Sequence, residues 1–289
     1  MALQEWIAAG LIAIVSLVLG FVFDANEHVP PPWNRVSSVL GWIYFTCWAV
    51  SSYPQPLLNY QRKSVVGLSL DYMALSILGS VFYLIFNCAF FFSGSVREQY
   101  MRRDHGHKNA VELNDVISSI HGTFFCVVVV VQCFVYPKND QTVNTKTRMW
   151  VIAVVAAAVV FGLAVAIAGS EDSTVLNTLN WLYLLSWLKI VTTLFKCVPQ
   201  VVLNYRRQST VGWTIWGVML DLIGGLLSVL QQLIDSIATS DWSAITGDPV
   251  KFTLGMVSIA FDVIFAVQHY VLYAKNNQAA SKAEQVPLL

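Results

Sequence analysis

The sequence has 289 residues, of which 56% are hydrophobic, 13% are aromatic and only 12% are charged. A soluble domain carries about 25% charged residues, so this composition excludes an ordinary soluble enzyme and predicts a membrane protein. Lys and Arg together number 17, as do Asp and Glu, which leaves no excess positive charge for binding nucleic acid.

Apolar runs long enough to cross a membrane recur along the whole chain. A helix needs roughly 20 apolar residues to span the hydrocarbon core. Eight candidate spans follow one another, at 6–23, 36–58, 68–92, 115–136, 149–169, 179–203, 214–237 and 251–274. The first, here called the leader, lacks a basic segment before it and a good cleavage site after it, so we interpret it as a retained anchor. The other seven are numbered one to seven.

The charges of the loops predict the orientation of the chain. The loops at 59–67, 137–148 and 204–213, together with the segment after residue 274, contain nine Lys or Arg and two acids. The positive-inside rule therefore places these loops and the C-terminus in the cytosol. The loops at 170–178 and 238–250 have acids and no Lys or Arg, which agrees with the opposite side.

The strongest feature is an internal repeat. Residues 53–67 and 198–212 are identical at nine positions when aligned at an offset of 145. Self-similarity of this kind indicates a duplicated unit. Each copy begins near the cytosolic end of a span and includes three spans, with span four between them, so the copies are predicted to be parallel repeats in a 3+1+3 arrangement, as in one class of transporters.

This arrangement predicts five segments of the chain. They are the leader and a lumenal linker at 1–35, the first three-helix repeat at 36–136, a linker helix at 137–178, the second three-helix repeat at 179–274, and a cytosolic tail at 275–289.

A Pro-Gln pair occurs at the same place in each repeat. Pro54 and Pro199 each remove a helical hydrogen bond, and Gln55 and Gln200 directly follow them. Freed backbone groups in a membrane must face protein or a water-filled cavity. The pair is therefore either a hinge in each repeat that bends during alternating access or a static kink, and the duplication favours the hinge.

Ionisable residues within the spans are candidates for function, because they are costly in lipid. Lys196, Asp221 and Asp262 lie deep in the second repeat, whereas Asp115 and Lys251 open spans three and seven. Burial favours the protonated form of a carboxyl group, so such an Asp can take up a proton from an acidic compartment. The plainer alternatives are an ion pair of Lys196 with Asp221, a helix cap at Asp115 and a snorkelling Lys251.

The motifs resemble those of the cystinosin family of PQ-loop repeat proteins, which export cystine from lysosomes and vacuoles with protons. The resemblance covers about residues 36 to 275 and rests on an ordered series of segments, at 41–45, 62–71, 114–121, 209–215, 220–225, 247–252 and 258–270.

The resemblance implies an all-α transmembrane, SWEET-like bundle of seven helices in the 3+1+3 order. It implies proton coupling at Asp115, Asp221 and Asp262. Substrate contacts are implied for Lys196, Lys251, Asp221, Asn204, Trp48, Ser76 and Gly217. Relatives in the family carry Asn where Ser76 and Gly217 stand, so the expected substrate is cystine or a closely related amino acid.

The expected function is proton-coupled export of cystine to the cytosol, driven by the proton gradient without a cofactor. The alternatives are an exporter of cationic amino acids, a facilitative sugar carrier and a sorting receptor that transports nothing. Catalysis is not expected, because no nucleophile–base–orienter set or metal-ligand spacing occurs. The tail contains an acidic dileucine pattern, Glu284 with Leu288 and Leu289, which favours a clathrin adaptor as partner and a lysosomal or vacuolar membrane.

Overall fold

The computed structural model describes residues 3–23, 25, 27, 29–104, 109, 111, 113–169, 173–242 and 249–284, and every regular element among them is helical. The helices are α1 (Leu3–Val22), α2 (Trp33–Ser51), α3 (Pro54–Arg62), α4 (Leu70–Phe92), α5 (Gly94–Arg103), α6 (Leu113–Val135), α7 (Thr145–Ala168), α8 (Thr178–Arg207), α9 (Ile215–Thr239), α10 (Pro249–Val267) and α11 (Ala274–Glu284). A π-helical turn, Gln268–Leu272, joins α10 to α11.

Six stretches of the described chain are long and apolar enough to cross a membrane. They are Leu70–Phe92, Leu113–Val135, Thr145–Ala168, Thr178–Arg207, Ile215–Thr239 and Gly255–Leu272. They correspond to predicted spans two to seven. The all-helical membrane bundle predicted from the sequence is therefore confirmed.

The predicted span at 36–58 is two helices rather than one. Helix α2 ends at Ser51, and α3 begins at Pro54. In the turn between them, the Tyr53 N–H donates to the Val50 carbonyl. Proline suits the first turn of a helix, where its missing N–H is not needed. Pro199 instead lies inside the continuous helix α8. The two Pro-Gln pairs therefore have different backbone surroundings.

The chain divides into two compact units that cut across the sequence repeats. Unit one consists of Met1–Leu58 with Gln208–Leu289, and unit two consists of Asn59–Arg207. In unit one, α9 packs against α2 and α10. In unit two, α4 packs against α6 and α8. Each unit thus combines the first helix of one predicted repeat with the second and third helices of the other, while the repeat boundaries themselves remain a sequence prediction.

Unit two has an apolar core near the end of α4 and the start of α8. Phe90 from α4, Val154 from α7 and Leu182 from α8 are almost completely buried in it. The Trp181 indole N–H donates to the Ala158 carbonyl at 2.8 Å, which ties α8 to α7. This core fixes the helices that carry the polar residues described next.

Candidate functional site

The loops after the two Pro-Gln helices have the same backbone conformation. Lys63 and Gln208, which are equivalent at the offset of 145, have φ of 49° and 51°. Gly67 and Gly212 are likewise equivalent and have φ of 104° and 99°, a region that L side chains rarely adopt. Glycine is therefore required at both loop ends, which explains its presence in both copies.

In unit one, Gln55 binds the loop that precedes α9. Its Nε2 donates to the Gly212 carbonyl at 3.1 Å, and its Oε1 accepts the Thr214 N–H at 3.0 Å. The Thr214 hydroxyl in turn accepts the Gly217 N–H and caps α9. Gln55 therefore holds the backbone from which α9 starts.

In unit two, Gln200 binds the loop that precedes α4 by the equivalent contacts. Its Nε2 donates to the Gly67 carbonyl at 2.9 Å, and its Oε1 accepts the Ser69 N–H at 2.7 Å. The Ser69 hydroxyl caps α4 by accepting the Tyr72 N–H. We call each set of two hydrogen bonds a glutamine clamp, since each glutamine holds the loop of the other sequence repeat.

Asn204, predicted to contact substrate, belongs to the second clamp. It lies one helical turn after Gln200, and its Oδ1 accepts from Gln200 Nε2 at 2.9 Å. Both side chains are fully buried. Asn204 therefore helps to fix the orientation of the Gln200 side chain through this hydrogen bond.

Two of the three predicted proton-coupling acids, Asp221 and Asp262, belong to unit one. Asp221 is half-buried on α9, and Ser258 Oγ of α10 donates to its Oδ2 at 3.5 Å. Asp262 is 6% exposed. Because it lies four residues after Ser258, it shares that face of α10. Asp221 therefore lies at the contact between α9 and α10, and Asp262 lies about one helical turn after Ser258 on α10.

Small residues of α9 let α2 approach closely, and Trp48 lies against Gly224, three residues after Asp221. A Cβ at Gly224 would lie 2.6 Å from Trp48 Nε1, and a Cβ at Gly217 would lie 3.0 Å from the Ser51 carbonyl oxygen. The space that a side chain at position 217 would need is therefore occupied by the end of α2. Gly217 thus permits close packing of α9 against the end of α2, and its contact with substrate stays a prediction.

Lys196 is half-buried on α8 in unit two, whereas Asp221 belongs to unit one. Its ammonium interacts electrostatically with the Tyr72 hydroxyl of α4 and the Cys126 thiol of α6. Ser76, one turn after Tyr72, has a buried hydroxyl oxygen. These residues form a polar cluster between α4, α6 and α8.

Asp115 lies in the first turn of α6, where it is half-buried. Its backbone carbonyl accepts from Asn87 Nδ2 at 3.5 Å, and its carboxylate acts electrostatically on Tyr83. Lys189 Nζ lies 4.6 Å from the centroid of the Tyr83 ring. Asp115 therefore interacts with an amide and a phenol of α4, and the same phenol ring lies against the Lys189 ammonium.

One acidic network was missed by the sequence reasoning. Ser37 Oγ donates to Asp235 Oδ2 at 2.9 Å, and Gln231 Nε2 donates to Ser37 Oγ at 3.0 Å and to its carbonyl at 2.9 Å. Ser37 is completely buried. The sequence feature that could have identified this network is Asp235, which lies within an apolar span, four residues after Gln231 and therefore on the same face of the helix.

Some predicted residues lie outside the described part of the chain. Leu288 and Leu289 are outside it, and so are the side chains of Lys251 and Glu284, although both residues belong to helices.

Comparison with known proteins agrees with this architecture. The PQ loop repeat family matches residues 36–96 and 181–239. Cystinosin of Drosophila melanogaster is 41% identical over 245 residues, which are 85% of this chain and 60% of that protein. The cystinosin homolog of Arabidopsis thaliana is 35% identical over 86% of this chain and 92% of its own length. The cystine transporter of Saccharomyces cerevisiae is 28% identical over 86% of this chain and 98% of its own length.

The helical bundle and the two clamped loops define a membrane protein built from PQ-loop repeats. Within that class the chain belongs to the cystinosin family. The matched part spans about 60% of the length of the Drosophila relative.

Proposed function

We propose that this protein carries cystine out of a lysosome or vacuole into the cytosol together with protons. The observation that carries the proposal is the similarity to cystinosin and to a cystine transporter over about 85% of the chain. The carboxyl group of Asp221 at the contact of α9 with α10 adds a physical route for proton coupling.

Protonation of Asp221 changes the contact it makes with α10. A carboxylate at Asp221 accepts the Ser258 hydroxyl, whereas a protonated carboxyl is itself a donor. In the proposed cycle this carboxyl takes up a proton when the site opens to an acidic lumen and releases it to the cytosol. Gain and loss of a proton would therefore shift the packing of α9 against α10 between two states.

The glutamine clamps would transmit such a shift to the loops. Gln55 belongs to α3, which follows the break at Ser52 and Tyr53, and it holds the start of α9. Movement at the break therefore displaces the start of the helix that carries Asp221. Gln200 lies inside a continuous helix, so we assign the larger bend to the first repeat.

Cystine carries two carboxylates and two ammonium groups, and the polar clusters offer partners for both. We assign a substrate carboxylate to Lys196, whose ammonium lies near the Tyr72 hydroxyl. An amino group of the substrate is assigned to Asp115 of the same unit in its charged form, and Asp221 is assigned the proton. A sugar has neither charged group, so these residues favour an amino acid over the sugar alternative.

We further propose that Ser76 takes part in substrate binding from the position in α4 that matches Asp221 in α9. The offset of 145 that aligns the two clamps also aligns these residues. Lys251 is proposed as a second cation for substrate, and Glu284 with Leu288 and Leu289 as the adaptor-binding signal of the tail.

Uptake by proteoliposomes containing the purified chain tests the proposal. The panel holds labelled cystine, arginine, lysine and glucose, each at equal pH and with an acidic exterior. We expect cystine uptake alone to rise with the acidic exterior and Asp221→Asn to lose that rise, while Asp241→Asn, which lies after α9, behaves like the wild type. Arginine or glucose uptake without cystine uptake would overturn the assignment of cystine as the substrate.

A further inference from the structure

A cleft of about 340 Å³ lies in unit two, on the side that the loop charges predict to be cytosolic. Its walls are apolar side chains from the first turns of two helices, Leu70 and Ala74 from α4 and Val151 and Ile152 from α7. The segment that joins α6 to α7 closes its outer end. The cleft plays no part in the transport route proposed above.

The cleft lies beside a helix surface suited to hydrocarbon. Ile152 is 60% exposed, and Val159 and Val160 are exposed further along α7. A water molecule occupies about 30 Å³. Since a methylene group is of similar size, the cleft holds on the order of ten such groups, which is a large part of one acyl chain.

Two cations line the same cleft. Lys138 Nζ lies 5.8 Å from the centroid of the Phe134 ring, and Arg148 Nη2 donates to the Val143 carbonyl at a long 3.4 Å. A lysine has three N–H donors and an arginine five, so both can also bind a phosphate. On this rim the Asp71 carboxylate accepts the Asn144 N–H at 2.8 Å, and Asp140 lies in the joining segment.

Gln141 adds an unsatisfied polar atom. Gln141 lines the cleft, and its side-chain oxygen Oε1 is buried and has no hydrogen-bond partner within the described residues. Buried polar atoms without partners are rare in folded proteins. A headgroup that carries an ammonium or hydroxyl group beside its phosphate would supply the missing donor.

We propose that this cleft binds one anionic phospholipid of the cytosolic leaflet. One acyl chain lies between α4 and α7, the phosphate contacts Lys138 and Arg148, and a headgroup donor reaches Gln141. Basic pockets between transmembrane helices on the cytoplasmic side are suited to such headgroups. The apolar walls together with the two cations favour a lipid over a soluble phosphate, which would leave the walls uncovered.

Lipid binding to the purified full-length chain, measured by native mass spectrometry, tests the proposal. Phosphatidylserine is the probe, phosphatidylcholine the neutral control and inorganic phosphate the acyl-free control. We expect phosphatidylserine to bind more tightly than phosphatidylcholine. K138Q and R148Q should each weaken its binding by on the order of fivefold, whereas K146Q, which changes a cation outside the cleft lining, should not.

A second variant keeps both charges and fills the cleft. Ile152→Trp should reduce phosphatidylserine binding while leaving the melting temperature close to that of the wild type. Equal binding of the two lipids, unchanged binding in the Lys138 and Arg148 variants or in Ile152→Trp, or displacement of the lipid by inorganic phosphate at similar concentration would each overturn the proposal.

Discussion

The Oε1 atom of Gln200 accepts the Ser69 backbone N–H at 2.7 Å, within unit two and across 131 residues of sequence. Gln55 makes the equivalent bond to Thr214 at 3.0 Å in unit one. The two clamps have the same geometry because the duplication relates Gln55 to Gln200, and Ser69 to Thr214, by the same offset of 145 residues. Each repeat therefore supplies the glutamine that binds the loop of the other repeat.

We predict that Gln200→Ala destabilises the protein more than Gln55→Ala. Gln200 is fully buried, so its removal leaves the Gly67 carbonyl and the Ser69 N–H without partners. Each unsatisfied buried group costs about 1–3 kcal/mol. Gln55 is only half-buried, and water can replace part of its bonding.

Thermal unfolding in detergent, followed by tryptophan fluorescence, measures this difference. Gln61→Ala on the exposed side of α3 is the matched control and should change little. Equal losses for Gln200→Ala and Gln61→Ala would show that the clamp does not stabilise the fold.

We predict that Gly224→Ala disturbs the packing of α2 against α9. The added Cβ would lie 2.6 Å from Trp48 Nε1, so the indole must move. Overpacking of this kind typically costs about 1–3 kcal/mol. Gly122→Ala is the control, since no atom lies within 4 Å of the added Cβ, and it should be neutral or slightly stabilising.

Because the chain has ten tryptophans, the spectrum of Gly224→Ala is compared with that of Trp48→Phe, which separates a displacement of Trp48 from general unfolding. A Gly224→Ala variant with an unchanged melting temperature and an unchanged tryptophan spectrum would contradict the close approach of α2 to α9.

We predict that Ser37 and Asp235 are energetically coupled. Ser37→Ala leaves Asp235 Oδ2 and Gln231 Nε2 without their shared hydroxyl partner. In a double-mutant cycle with Asp235→Ala, we expect a coupling free energy of about 1 kcal/mol or more, because residues in one hydrogen-bond network are not additive. Additive losses of unfolding free energy would exclude the network.

The helical membrane bundle was predictable from the sequence, because apolar runs depend on local composition, whereas the orientation expected from the loop charges stays a prediction. Spans two to seven appear as described helices near the predicted positions. A hinge or kink was predicted at both prolines, but not that the helix would end before Pro54 and continue through Pro199, since proline is compatible with the first turn of a new helix and with the interior of a continuous one.

The hydrogen-bond partners of the site residues could not be predicted from the sequence, because they are set by the tertiary structure. The repeat identified Gln55 and Gln200 but not the loops they bind, because the units combine helices of both repeats. Asn204 was predicted as a substrate ligand, and the structure places it beside Gln200. Asp235 was missed because its partner Ser37 is 198 residues away in sequence.

Proton movement driven by cystine tests the central claim most directly. Proteoliposomes with a pH-sensitive dye inside, at equal pH on both sides, receive cystine outside. We expect acidification of the interior with the wild type, none with Asp221→Asn, and the wild-type response with Asp241→Asn. Entry of labelled cystine without any change in internal pH would contradict coupling through these carboxyl groups.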